Sequence, residues 1–159
     1  DQLDELGLPY EVVPGVSSFL GAAAALKAEF TLPDVSQTVI LTRMEVRTPV
    51  PETESIQSLA SHKATMVIFL SAGMLEELSQ RLIEGGYDPD TPAAIVYKAT
   101  WPEEKVMHCT VGTLAETAER EKVTKTALIV VGNILNTEYE RSKLYDPAFT
   151  TEFRKGKEV

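Results

Sequence analysis

Four short, unbroken apolar runs constrain this chain more than anything else in it. They are Gln37-Thr-Val-Ile-Leu-Thr42, Thr65-Met-Val-Ile-Phe-Leu70, Ala93-Ala-Ile-Val-Tyr97 and Thr126-Ala-Leu-Ile-Val-Val131. A strand with one wet face alternates polar and apolar residues, whereas a short continuous run reads as a strand covered on both faces. Between the runs lie stretches of helical period. Glu52 to His62 places Ile56, Leu59 and Ala60 on one face, and Leu75, Leu78 and Leu82 recur at i, i+3 and i+7 until Gly85-Gly86 stops the helix. A shorter helix is expected over Gly112 to Arg120, and a helix end over residues 1–9 with Gly7 closing it. Strands alternating with helices predict an α/β fold with a mixed, mostly parallel sheet flanked by helices. Glu104 to Thr110 alternates instead, which predicts a more exposed, antiparallel strand.

The stretch Glu11-Val-Val-Pro-Gly-Val-Ser-Ser18 reads as a strand over Tyr10–Val13, a turn at Pro14-Gly15 and a helix from Ser17 to Ala28. Proline lacks a donor and glycine reaches φ > 0, so a strand ends there. Ser17 or Ser18 is placed to cap the first N–H groups of the helix, and four consecutive alanines favour it. Thr31-Leu-Pro-Asp34 breaks the helix and is read as a domain boundary.

Composition excludes several classes. With 159 residues, 43% hydrophobic and 25% charged, the chain suits a globular domain with a real core. A net charge of −9 argues against nucleic acid as a partner. One cysteine, Cys109, permits no internal disulfide and fits a reducing compartment. No apolar run approaches the ~18 residues of a membrane span, and the acidic Asp1-Gln-Leu-Asp-Glu5 is no signal peptide, so a cytoplasmic location is expected. The chain opens without an initiator Met and reaches a strand by Glu11, and is therefore read as a fragment.

Dinucleotide, Walker A and nucleophile-elbow motifs are absent, as is metal-ligand spacing. His62 falls at a helix end and His108 on a strand face, neither with a partner pattern, and Cys109 reads as a packed thiol on the face opposite His108. What remains is a set of small or polar strand ends: Ser17-Ser18, Thr42-Arg43, Leu70-Ser71, Ala99-Thr100 and Gly132-Asn133. In a mostly parallel sheet these share one edge, where exposed backbone groups bind small ligands. Arg43 and Arg47 lie in one loop and suit carboxylates. Read without family knowledge, the residues reach a small-ligand α/β domain.

The segment Glu11 to Ser18 with its alanine-rich helix resembles the PG[IV][ST] segment of the tetrapyrrole methylases, S-adenosylmethionine-dependent enzymes of siroheme and cobalamin synthesis. Asp34-Val-Ser-Gln-Thr-Val-Ile-Leu-Thr-Arg43, Arg47-Thr-Pro-Val-Pro-Glu52, Ala64 to Ser71 and Tyr97-Lys-Ala-Thr-Trp-Pro102 are similar to the branch that methylates C11 of precorrin-4 or its cobalt form. The resemblance covers residues 10 to about 135. It implies cofactor contacts at Ser17, Ser18, Leu70, Ala99 and Ala127, and substrate contacts at Arg43 and Arg47 to the acetate and propionate groups of a corrinoid macrocycle. It implies S-adenosylhomocysteine as product, a homodimer, no metal ligand and no catalytic nucleophile. Val46 stands where the family pattern has glycine, and the family's N-terminal glycine-rich loop and Gly-Asp-Pro loop are absent from these residues. The implied organisation is the end of a first domain and connecting helix over 1–30, a second domain over 31–145 and a polar tail over 146–159, inactive alone. Methylation of uroporphyrinogen-III or precorrin-3, and a non-catalytic ligand-binding domain, are the alternatives.

Overall fold

A computed structural model describes residues 1–45, 48–69, 73–135 and 148–156. Among the described residues the helices are α1 (Gln2–Glu5), α2 (Ser18–Leu26), α3 (Ile56–Ala60), α4 (Leu75–Glu84) and α5 (Leu114–Glu121). The strands are β1 (Val39–Arg43), β2 (Thr65–Phe69), β3 (Pro92–Tyr97), β4 (Lys105–Thr110) and β5 (Ala127–Val131). All four apolar runs are strands, and β4 is the expected antiparallel one.

The five strands form one mixed sheet in the order β1-β2-β5-β3-β4. β1 and β2 are parallel, but β5 enters antiparallel between β2 and β3, so one pairing of four is parallel. Reversing twice brings β3 back to the direction of β1 and β2. The carboxyl ends of β1, β2 and β3 therefore share one edge, together with the start of β5.

Strand pleating sends alternate side chains to two cores. Met66, Ile68, Ile95, Ile129 and Val131 pack under α3, α4 and α5 with Leu78, Leu82 and Leu114. Val67, Val96, Leu128 and Val130 pack on the other face against Ala22 of α2, Phe30, Leu32 and Ile134. The uninterrupted apolar runs follow directly from this double coverage.

Two local expectations are corrected. Tyr10–Val13 forms no strand: residues 8–17 belong to no helix or strand, and Tyr10, Val12, Val13 and Val16 are all more than half exposed. A β-prone segment without a paired neighbour has no ladder to join. Ser17 does occupy the N-cap position with extended backbone, yet its side chain makes no capping bond. Elsewhere local chemistry acts as read: Gly7 takes φ +61° after α1 and Gly86 takes φ +114° after α4. The structure adds a cap on α3, the Ser55 side chain accepting from Ser58 N–H. No described helix is long and apolar enough to cross a membrane.

Candidate functional site

Of the expected site residues, Arg43, Ala99 and Ala127 lie at the shared edge. Arg43 ends β1 beside Phe69 at the end of β2, and Tyr97 at the end of β3 lies opposite Ala127, the first residue of β5. Ala127 reaches this edge because β5 is antiparallel; in a parallel strand its amino end would face the other way. Its side chain is packed in the α3–α5 core. Gly132-Asn133 falls at the opposite edge for the same reason, which corrects its place among the site strand ends. Leu70, Ser71, Val46 and Arg47 lie outside the described residues.

α2 brings the serines to the same edge. A Cβ on Gly21 would sit 3.2 Å from Thr100 Cγ2 and 3.5 Å from Ala99 Cβ, so the first turn of α2 rests on the turn that follows β3. Ser17 and Ser18 are exposed at the start of that helix, three to four residues before Gly21. Ala99 itself is half-buried and lies between Lys98 at φ 47° and Thr100 at φ 71°. Thr126, just before Ala127, has φ 56°, and its carbonyl accepts from Lys98 N–H at 2.9 Å. A positive φ is uncommon for any residue with a Cβ and an outlier for a β-branched one. Such residues concentrate where a backbone is held in one geometry for a purpose.

The other half of the edge is a groove of about 400 Å³ lined by Leu41, Thr42, Arg43, Pro49, Val50, Pro51, Glu54 and Phe69. Arg43 donates through Nη1 to Met44 O (3.1 Å) and to Thr48 O (3.3 Å), with Nη2 also at Thr48 O (3.4 Å). These carbonyl bonds fix the guanidinium without neutralising it, and no carboxylate among the described residues pairs with it. An apolar floor at Leu41 and Phe69 beneath a charged guanidinium suits a flat apolar ligand with acidic arms. β1 is three strand spacings from β3, about 14 Å, so one edge offers two adjoining subsites.

Sequence reasoning passed over two supports of this edge. Arg81 of α4 donates to Glu45 Oε1 at 2.8 Å and to Glu77 Oε1 at 2.5 Å, tying the residues after Arg43 to the helix layer. The Glu45 bond is the main cause raising the Arg81 pKa. Glu104 Oε2 accepts from Thr100 N–H at 2.6 Å and closes the turn around Ala99. Both read in sequence as ordinary surface charges, and no spacing rule marks either. Tyr87, pushed up to about 12, and Cys109, pushed up to about 11, are both shifted by burial, and both lie at the opposite edge. His62 and His108 are exposed, His62 just after α3 and His108 on β4. No group of three His, Cys, Asp or Glu residues among the described residues is placed to hold a metal.

The family model of the Tetrapyrrole (Corrin/Porphyrin) Methylases matches residues 1–115. Cobalt-precorrin-4 C(11)-methyltransferase of Methanocaldococcus jannaschii is 51% identical over 156 residues, covering 98% of this chain and 60% of that protein. The chain therefore spans about 60% of the length of that curated relative. The crystal structure of a cobalamin biosynthetic enzyme, a cobalt precorrin-4 methyltransferase, superposes with a TM-score of 0.83 at 46% identity, over 86% of this chain and 57% of that one. Uroporphyrin-III C-methyl transferase from Thermus thermophilus, complexed with S-adenosylhomocysteine, gives a TM-score of 0.65 at 26% identity, over 84% of this chain and 57% of that one.

Proposed function

Because this chain belongs to the tetrapyrrole methylases, we propose that it is part of an S-adenosylmethionine-dependent C-methyltransferase acting on C11 of precorrin-4 or cobalt-precorrin-4 in cobalamin biosynthesis. The observation that carries the reading is the 51% identity to a cobalt-precorrin-4 C(11)-methyltransferase across 98% of the chain. In this reading the chain supplies one wall of the cofactor cleft, and the length of the relatives that it does not span would supply the other. The exposed apolar segment at Tyr10, Val12, Val13 and Val16 supports that division, since contiguous apolar surface of this kind is ordinarily covered. The division proposed is residues 1–30 as the end of a first domain with its connecting helix, 31–145 as the second domain and 146–159 as a tail.

The edge fits an adenosine-bearing cofactor: in this reading the backbone at Ala99 and Ala127, where the side chains are small, would meet the cofactor, with Ser17 and Ser18 adding hydroxyls. Leu70 completes the proposed set, and Arg43 with Arg47 would hold acidic arms of the macrocycle. The sulfonium of S-adenosylmethionine supplies an already activated methyl group. What the protein adds is proximity and orientation: the turn at Ala99 fixes the cofactor, while the groove at Arg43 presents the macrocycle to it. Two reactants held in line gain the entropic advantage that dominates such transfers. No nucleophile or acid–base pair is required of this chain.

The test uses the polypeptide extended to the full length of its relatives. It should bind S-adenosylhomocysteine in calorimetry and methylate precorrin-4 or its cobalt form. Turnover of only uroporphyrinogen-III or precorrin-3 would overturn the branch, and binding without turnover of any tetrapyrrole would favour a ligand-binding role. The chain alone is expected to be inactive, and the full-length protein to sediment as a homodimer.

A further inference from the structure

The turn from Lys98 to Glu104 is held by several short-range contacts. Trp101 N–H donates to Lys98 O (3.0 Å) and Glu104 N–H to Trp101 O (3.0 Å). Lys98 Nζ lies 3.5 Å from Glu103 Oε1 and 5.2 Å from the centre of the Trp101 ring. Among the described residues, the bond that engages the backbone of the β-branched, left-handed Thr100 is the 2.6 Å one from its N–H to the Glu104 carboxylate. A hydrogen bond to an ionised acceptor is about twice as strong as a neutral one. Without it, Thr100 would relax toward negative φ and rotate the peptide that joins it to Ala99.

We propose that Glu104 is the positioning residue of the cofactor subsite, fixing the peptide groups of Ala99 by clamping Thr100 N–H. The inference rests on the cofactor reading given above. Two further contacts frame Ala99: Lys98 N–H is bound to Thr126 O next to Ala127, and Gly21 of α2 lies against Ala99 and Thr100. Glu104 thus completes a frame that joins β3, β5 and α2 around one backbone segment. Its carboxylate touches the protein's own backbone, so its effect on a ligand passes through Thr100.

The full-length protein and its Glu104→Ala, Glu104→Gln, Thr100→Gly and Glu104→Ala/Thr100→Gly variants would be titrated with S-adenosylhomocysteine and assayed for the KM of the tetrapyrrole. Loss of one charge-assisted hydrogen bond predicts about tenfold weaker cofactor binding in Glu104→Ala, with tetrapyrrole KM changed less than about twofold. The glutamine variant keeps an acceptor oxygen and should lose less. Glycine at 100 adopts positive φ without strain, so the double variant should regain most of the lost affinity; a merely structural staple would not be relieved this way. Unchanged affinity in Glu104→Ala, a loss that Thr100→Gly leaves uncorrected, or a matching rise in tetrapyrrole KM would each overturn the proposal. If Glu104→Ala does not fold, the same comparison made between Glu104→Gln and its Thr100→Gly double decides it. Failure of the unsubstituted protein to bind S-adenosylhomocysteine would overturn the cofactor reading instead.

Discussion

Gly85 ends α4 where that helix crosses α3, and Gly85→Ala measures how firmly the two are pressed together. A Cβ at this position would lie 2.5 Å from Ala60 Cβ, 2.6 Å from Gln57 O and 2.9 Å from Gln57 Cα. Carbon atoms pack at about 3.5–4.0 Å, so the helices would have to part by about 1 Å. None of the three atoms ends a flexible side chain, and no rotamer change relieves the contact. Two effects oppose each other. Gly85 has φ −76° and ψ −8°, which alanine adopts freely, and such a replacement stabilises by about 0.4–1 kcal/mol through the unfolded chain. Over-packing costs about 1–3 kcal/mol. The second wins, leaving a net destabilisation of about 1–2 kcal/mol and a fall in Tm of roughly 2–8 °C for a domain of this size. Thermal and urea unfolding followed by circular dichroism would measure it beside Gly73→Ala, whose new Cβ meets only Thr124 O at 3.7 Å. The control should stay within about 0.5 kcal/mol of the parent. A Gly85→Ala protein as stable as the parent, or more so, would refute the rigid-contact argument.

Alkaline stability offers a second test. Burial pushes Tyr87 from 10.0 up to about 12 and Cys109 from 9.0 up to about 11. Both groups are more acidic unfolded, so their contribution is complete below about pH 9 and is lost between 9 and 11 for Cys109 and between 10 and 12 for Tyr87. Urea midpoints of Tyr87→Phe should therefore fall less steeply above pH 10 than those of the parent, and equal slopes would sink the assignment. Arg81→Ala breaks a half-exposed pair of ion contacts, so it should cost no more than about 1 kcal/mol; the loss should shrink in 1 M salt, and a salt-independent loss would point to packing of the stem instead. In the full-length protein, Arg43→Ala should raise KM for the tetrapyrrole more than for the cofactor, and an unchanged tetrapyrrole KM would remove Arg43 from the site.

The strands and the helical stripes were legible because their signals are local. Val67, Val96, Leu128 and Val130 feed one core and Met66, Ile68, Ile95 and Ile129 the other, so each run is apolar throughout whatever its direction. That same uniformity hid the topology. A doubly covered strand looks alike parallel or antiparallel, so nothing in Ala127–Val131 says that it runs against β2 and β3. Taking β5 as parallel put Gly132-Asn133 on the edge of Arg43, whereas it lies at the opposite one; Ala127, named from family resemblance, starts β5 on the edge of Arg43. Tyr10–Val13 misled because β propensity describes a fit to neighbours, and this segment has none among the described residues. Glu104 and Arg81 were invisible for a different reason: Arg81 is valuable for reaching Glu45, far off in sequence, and Glu104 for a turn that brings its carboxylate to Thr100 N–H, and an acidic or basic residue in a surface stretch carries no mark of either.

The place of β5 has a consequence for the order in which the protein can be made. Its residues are synthesised last among the described strands, yet Val131 must pair with both Met66 and Ala93. Until Val131 is free of the ribosome, β1 and β2 form one ribbon and β3 and β4 another, with the inner edges of β2 and β3 unsatisfied. Closure over such sequence distances is slow, and open strand edges invite pairing between chains. A stall or stop codon before Ala127 would thus release two sticky half-sheets, making this strand the point at which nascent chains are committed either to the folded domain or to aggregation.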